Sequence, residues 1–423
     1  MPKAERTIYV YADWSGGQPA LMGRLYAGDN RGKEIFSFEY SKNWIHSNSM
    51  SFVFDPDLYF YEGRQYASEK PLFGVFSDSC PDRWGRLLMK RREEMLAREE
   101  GRKPRALTES DFLLGVFDEA RTGALRFSLK EGGPFLSEDQ GLSTPPWATL
   151  RTLEAASLAF ESDEGKQVEK WLKQLIVPGS SLGGARPKAS VQAPDGSLWI
   201  AKFPSKNDEW DCGAWEAVVH ALAAKCGLRV PDSKLEFFSG KGRTFLVKRF
   251  DRAMGRRIHF ASAMALLGRT DGVGAEGASY LDIASFIKTN GASPKQDLKE
   301  LWNRMVFSMA VSNTDDHLRN HGFLLTWRGW ELSPMYDVNP DIYGSSLSLG
   351  ISADDNSIDF DLAIETAKYY DIGIQDAKNS AAHIQKTVGD KWHSIAAGYG
   401  LSKSAIERME PAFLMEYKAG AGQ

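Results

Sequence analysis

The sequence predicts an α+β fold of two lobes, a mixed α/β part followed by a mostly helical part. Three observations carry this. Alternating apolar and polar runs recur up to about residue 252. Helical periodicity dominates after about residue 253. The 423 residues exceed what one small core organises, which suggests two or three packed subdomains.

The first elements lie in residues 6–130. TIYVYADW alternates like a strand and meets a turn signal at Gly16-Gly17; EIFSFEYS, residues 34–41, alternates again. Residues 82–101 are helical in pattern, with Trp84, Leu87, Leu88 and Met95 on one face, and TGALRFSLK, residues 122–130, reads as another strand. Residues 131–148, rich in Gly, Pro and Ser, read as a linker, and 149–176 as helical. KASVQA and SLWIAKF flank Asp195-Gly196, a hairpin dipeptide. Residues 210–226 form a helix with Gly227 as its C-terminal stop, and TFLVKRFDR, residues 244–252, is a strand entering a loop. The clearest helix is 297–311, where Leu298, Leu301, Trp302, Met305, Val306 and Met309 make one apolar stripe. The resulting division is 1–135, 136–252 and 253–423. Ligands favour clefts between lobes, so chemistry is expected at the join.

Composition excludes several classes. Apolar residues at 42% and charged residues at 26% describe an ordinary globular chain, and a net charge of −4 supplies no global field for nucleic acid or anionic membrane. Lys90-Arg91-Arg92, with Arg98, Arg102, Lys103 and Arg105, is a local basic cluster that also suits a solvated helix face. Three cysteines without a CxxC pair argue against a disulfide framework or a zinc site. The N-terminus lacks an apolar leader core, and no run approaches about 18 apolar residues, so a cytoplasmic, non-membrane protein is the expectation.

The chemistry concentrates after the 297–311 helix, in Asn313-Thr314-Asp315-Asp316-His317-Leu318-Arg319-Asn320. Phosphoryl transfer needs a carboxylate to orient and deprotonate the attacking hydroxyl, and oxygen ligands for Mg²⁺. Asp315 and Asn320 stand five residues apart, the spacing of a protein-kinase catalytic loop. The same residues suit a helix cap followed by an Asx-rich turn. Asp337 comes seventeen residues later, after FLLTWRGWEL, which reads as a hairpin turning at Arg328-Gly329. A hairpin there would bring Asp337 back beside Asn320, and two protein ligands suffice for Mg²⁺ alongside phosphate and water.

Lys202 sits inside the apolar strand WIAKF, where a buried ammonium prefers an anionic partner; an edge lysine with its head in solvent fits equally. Glu216, on the following helix, is the candidate clamp for it. Gly179-Ser180-Ser181-Leu182-Gly183-Gly184-Ala185-Arg186-Pro187-Lys188 is a Gly-rich loop whose N–H groups and Lys188 suit phosphate, although GxxxxGK[ST] is absent and many such loops are flexible turns.

Taken in order, SLGGARPKA, WIAKF, VKRFDR, NTDDHLRNHGF and LSPMYDVNP resemble the motif set of the HipA family, serine/threonine protein kinases that are toxins of type II toxin–antitoxin systems. PLFGVFSDSCPDRWGR and EARTGALRF are similar to its N-terminal region, so the resemblance spans about residues 8 to 345. It implies a two-lobed protein-kinase-like fold with an extra N-terminal subdomain, and use of ATP and Mg²⁺. It also implies roles. Asp315 matches the catalytic base, and Asn320 and Asp337 match the Mg²⁺ ligands. Lys202 matches the phosphate lysine; Val247, Lys248, Arg249 and Phe250 match the hinge that meets adenine. Lys188 with Gly183 and Gly184 matches the nucleotide-proximal loop, and Ser181, or its neighbour Ser180, the serine the family phosphorylates on itself. His317 matches a structural support.

The resemblance further implies a HipB-like helix-turn-helix antitoxin, contact with DNA only through that partner, and a protein substrate in translation, commonly an aminoacyl-tRNA synthetase. The sequence departs from the best-known member where Arg186-Pro187 replaces Gln-Glu and where Asp316 replaces Gly, which adds charge beside the base. Two other classes share the core residues. A small-molecule kinase would keep Asp315, Asn320 and Asp337 but has no need of the N-terminal region. A catalytically silent corepressor would bind ATP without transferring phosphate.

Overall fold

In the computed structural model, residues 5–47, 52–136, 144–162, 175, 184, 186–272 and 276–414 are described. The chain folds as two compact units, residues 1–207 with 246–270, and residues 208–245 with 271–423. The mixed α/β class expected from the sequence is the class observed.

Unit 1 begins with five strands, β1 (Arg6–Ala12), β2 (Ala20–Asn30), β3 (Lys33–Tyr40), β4 (Gln65–Tyr66) and β5 (Leu125–Ser128), in the order β4-β3-β2-β1-β5. Alternation explains the sheet: Ile8 and Val10 of β1, Leu25 of β2 and Phe36 and Phe38 of β3 point to one buried face. A two-residue connection, Arg31-Gly32, joins β2 to β3 with both φ angles positive, the turn whose twist suits a hairpin.

The helix Arg83–Glu99 starts at Asp82, whose carboxylate accepts the Gly85 N–H at 2.8 Å. It buries Trp84, Leu88 and Met95, but Leu87 is exposed, contrary to the sequence reading; it lies one step round the helix from the buried stripe. Three members of the basic cluster on and after this helix are paired locally, Arg91 with Glu94, Arg102 with Glu93 and Glu100, and Arg105 with Asp111.

Strands β6 (Lys188–Gln192) and β7 (Leu198–Lys202) form the expected hairpin, with Lys188 opposite Lys202 and Gly196 at positive φ in the turn. The Asp195 carboxylate accepts the Ser197 N–H at 2.9 Å and stiffens that turn.

A buried histidine gives unit 1 a pH dependence. His259 stacks on Trp14 (5.0 Å) and Phe54 (5.2 Å), and burial pushes its pKa down to about 3. The unfolded chain protonates this imidazole below about pH 6.5, whereas the folded chain resists until near pH 3. Stability from His259 is therefore complete at neutral pH and is lost as pH falls through that window, by a few kcal/mol in all. Urea unfolding of wild type and His259→Phe between pH 7 and pH 4 checks this. The gap between the two proteins should change in favour of the variant as pH falls, and a constant gap would refute it.

Unit 2 contains β8 (Ser233–Ser239) and the first residues of β9 (Gly242–Lys248), whose last residues belong to unit 1. The helix Cys212–Lys225 is capped by the Asp211 carboxylate, and Gly227, at φ +81°, follows its end. This helix groups with the C-terminal part of the chain because Trp215 packs on Trp392 and Phe413.

The helix Pro294–Ala310 opens on Pro294, and its six stripe residues, Leu298 to Met309, are fully buried. The hairpin Gly322–Thr326/Gly329–Leu332 turns at Trp327-Arg328, one residue earlier than the sequence reading placed it. Gly329 pairs with Thr326 at φ +130°, and a Cβ there would meet the Asn290 carbonyl at 2.7 Å, so the glycine serves close packing and not the turn. Among the described residues no helix is long and apolar enough to cross a membrane.

Candidate active site

The helix Pro294–Ala310 delivers its chain into a loop that leaves helical geometry at Ser312, φ +49°. The two aspartates that follow diverge. Asp315 is exposed, whereas Asp316 is buried and held by Ser308 Oγ at 3.1 Å, His321 Nε2 at 3.0 Å and the Tyr280 hydroxyl. Burial raises the Asp316 carboxyl, but His321, Tyr280 and Ser308 outweigh it and hold the group below its ordinary range. Burial and the same carboxylate keep Tyr280 protonated as a donor. The expectation that Asp316 adds charge beside Asp315 is corrected: its charge is internal and compensated. The sequence carried a signal for this, since His321 stands five residues on and Ser308 eight residues back on the buried helix.

Asn320 closes the loop. Its Nδ2 donates to the Asp315 carbonyl at 3.0 Å, and its backbone N–H to the His317 carbonyl at 2.8 Å. The first bond fixes which way the carboxamide points. Its Oδ1 is then buried with no hydrogen-bond partner among the described residues. A buried amide oxygen without a donor is costly unless something binds it. His317 begins the short turn Leu318–Asn320 and supports it through that carbonyl.

The segment after the hairpin returns along this loop. The Tyr336 hydroxyl donates to the Arg319 carbonyl at 2.6 Å, the Asn339 N–H to Asn313 Oδ1 at 3.2 Å, and the Asp341 N–H to the Ser312 carbonyl at 3.0 Å. Asp337 sits between the first two ties in left-handed geometry, φ +58°, an uncommon state that Asp tolerates and that clusters at functional sites. Asp315, Asn320 and Asp337 thus belong to one assembly within unit 2. Glu216 also lies in unit 2, buried on the helix Cys212–Lys225.

The remaining candidates lie in unit 1. Lys202 ends β7 half-buried. Lys188, its partner across the hairpin, is buried with Nζ 3.1 Å from Asp82 Oδ2, so its ammonium already has a carboxylate. Gly184 is at φ +96°, and a Cβ there would stand 2.8 Å from Lys188 Nζ. Ser180, Ser181 and Gly183 lie outside the described residues.

Val247 is buried, and Lys248 and Phe250 are half-buried, at the end of β9 and just beyond it. Arg249 is occupied throughout. Its N–H donates to the Leu198 carbonyl at 2.9 Å, and its guanidinium to the Ala120 carbonyl at 2.7 Å, the Arg121 carbonyl at 3.0 Å and Asp251. Asp251 also accepts the Gly123 N–H at 2.8 Å and lies well below the usual carboxylate range; burial opposes this, and Arg249 and Arg252 overcome it. Sequence reading missed this bracing role, although Arg249 and Asp251 sit two apart in VKRFDR.

Comparison with known proteins agrees with this architecture. The HipA-like C-terminal domain family matches residues 180–393, and the chain belongs to that family. A Haemophilus influenzae protein carrying the provisional name of a kinase is 24% identical over 264 residues, covering 56% of this chain and 73% of that one. The fold is shared with HipA in the structure of the Shewanella oneidensis HipA, HipB and operator DNA complex: TM-score 0.66, 16% identity, 96% of each chain covered. The Helicobacter pylori proinflammatory kinase CtkA overlaps 53% of this chain at 15% identity, with a TM-score of 0.37 and 92% of its own length.

Proposed function

We propose that this protein is an ATP-dependent serine/threonine protein kinase acting as the toxin of a bacterial toxin–antitoxin pair in the cytoplasm. One observation carries the reading: Asn320 is anchored on the Asp315 backbone carbonyl, which leaves its buried Oδ1 without a donor among the described residues, in the loop whose Asp315 is exposed. That is the donor chemistry a hard cation accepts. Asn320 and Asp337 would hold Mg²⁺, and the bound ion would neutralise charge on the nucleotide phosphates. Asp315 orients the acceptor hydroxyl and takes its proton.

By the family resemblance we assign Lys202 to the phosphates, Glu216 to the clamp role and the backbone of Val247 to Phe250 to adenine. Since Lys188 is paired with Asp82, we assign it a supporting charge at the base of the Gly-rich loop, beside Gly184.

Replacing Asp337 by Ala should weaken Mg²⁺-dependent ATP binding and leave binding of metal-free nucleotide unchanged. Calorimetric titrations with and without Mg²⁺ check it, and equal affinities for both proteins at saturating Mg²⁺ would remove Asp337 from the metal site.

Regulation is assigned to Ser181, with Ser180 as the competing acceptor. A phosphate adds roughly −1.5 to −2 charge at neutral pH, close to the phosphates of ATP, and like-charge repulsion favours ejecting the loop. Incubation with ATP and Mg²⁺ should place phosphate on Ser181 and lower ATP affinity. Mass spectrometry that finds neither serine modified, or undiminished affinity afterwards, would end this assignment. The partners we propose are a HipB-like antitoxin, in keeping with the HipA, HipB and operator DNA complex whose HipA shares this fold, and a protein substrate in translation. Operator DNA would be reached through the antitoxin.

A further inference from the structure

The residue before the candidate base is wrapped by a single loop. Thr314 Oγ1 donates to Asp341 Oδ2 at 2.6 Å. The Thr314 carbonyl accepts both the N–H (3.0 Å) and the hydroxyl (2.8 Å) of Ser348. Gly344 lies so close that a Cβ on it would stand 2.3 Å from Thr314 Oγ1. The loop 341–348 is therefore hung on Thr314 at three points, and its position follows that of Asp315, the next residue.

This loop projects one large side chain outward. Tyr343 is 68% exposed. Its N–H is held by Asp341 Oδ1 at 2.8 Å, its hydroxyl by Glu209 at 3.3 Å, and its ring lies 6.2 Å from that of Trp210. Arg408 backs the arrangement, with its guanidinium 5.5 Å from the Trp210 ring and 3.0 Å from Glu209. An exposed aromatic residue held at its backbone N–H, its hydroxyl and its ring contributes nothing to the core and presents a flat apolar surface. Such a surface takes a side chain at low entropic cost.

We propose that the loop 341–348 is the acceptor-polypeptide subsite of the kinase reading above, on which this inference rests, and that Tyr343 is its specificity-determining residue. The occupant is an extended segment carrying the acceptor serine or threonine at Asp315, with a flanking side chain on the Tyr343 ring. That flanking residue is apolar or planar and not basic, because Glu209, the carboxylate at the ring, is already paired with Arg408.

A positional-scanning library of serine-containing peptides, phosphorylated by the full chain with labelled ATP, tests this. Wild type should select an apolar or planar residue at one flanking position. Tyr343→Ala should erase that selection and raise the peptide KM about tenfold, the scale of one lost aromatic contact, with the KM for ATP and the melting temperature unmoved. Tyr343→Phe, which keeps the ring, should retain both. Transfer by Tyr343→Ala with wild-type selection and KM overturns the subsite and leaves the kinase reading standing. A wild-type protein that labels no peptide overturns both.

Discussion

Asp315→Asn should lose phosphoryl transfer by about 10²–10⁴-fold while its melting temperature and ATP affinity stay near wild type, the usual cost of removing a general base. The side chain is exposed, and the loop is held by backbone and neighbouring groups: the Asp315 carbonyl that receives Asn320, the Thr314 carbonyl that receives Ser348, and the Thr314 hydroxyl on Asp341. None of these backbone and neighbouring contacts is changed by the substitution, so we expect the loop to keep its geometry while the proposed proton acceptor is removed. Single-turnover transfer from labelled ATP, beside calorimetry on the same protein, separates the two effects. Wild-type transfer would show that the base lies elsewhere. A collapse in melting temperature would show that Asp315 is a structural residue.

The next residue should behave in the opposite way. Asp316→Ala removes the acceptor of the Tyr280 and Ser308 hydroxyls, and the carboxylate beside His321 Nε2, from a buried site. Deleting one side of a buried, hydrogen-bonded charge typically costs about 3–5 kcal/mol, because the partners remain desolvated. We expect a large fall in unfolding free energy by urea titration, with activity lost through unfolding and not through chemistry. The effect should also track pH. The folded-state pKa of Asp316 is depressed, so its stabilisation is present above the unfolded carboxylate pKa and disappears as acid protonates the folded group. Wild-type stability in Asp316→Ala would mean that the three partners find other acceptors. The two outcomes together would separate the proposed catalytic aspartate from the structural one by one peptide unit.

Much of this was legible in the sequence where local rules decide. The stripe Leu298 to Met309, the hairpin at Asp195-Gly196 and the cap at Gly227 follow from periodicity and turn chemistry, and all are found. The order of Asp315, Asn320 and Asp337 also pointed to a single assembly. What the sequence hid depends on partners distant along the chain. Leu87 has apolar chemistry but is exposed. Gly329 resembles a turn glycine, yet answers to Asn290 thirty-nine residues earlier. Lys188 resembled a phosphate ligand, and its carboxylate partner is Asp82, more than a hundred residues away. Whether Asp316 faces in or out is decided by which way the loop bends at Ser312, and an αL serine is invisible to pattern reading.

The bracing of Arg249 bears on how this protein can be divided. Its guanidinium fills a socket made of the Ala120 and Arg121 carbonyls, and Asp251 reaches back to the Gly123 amide. The strand end proposed to meet adenine is thus bolted to a loop from the first third of the chain. Excising residues 180–393, the span the family shares, would leave a buried cation and a buried anion with their outer partners deleted. We therefore expect the matched span not to behave as a separable module. The N-terminal region is a buttress for the strand end it grips, and its loss should register there before anywhere else.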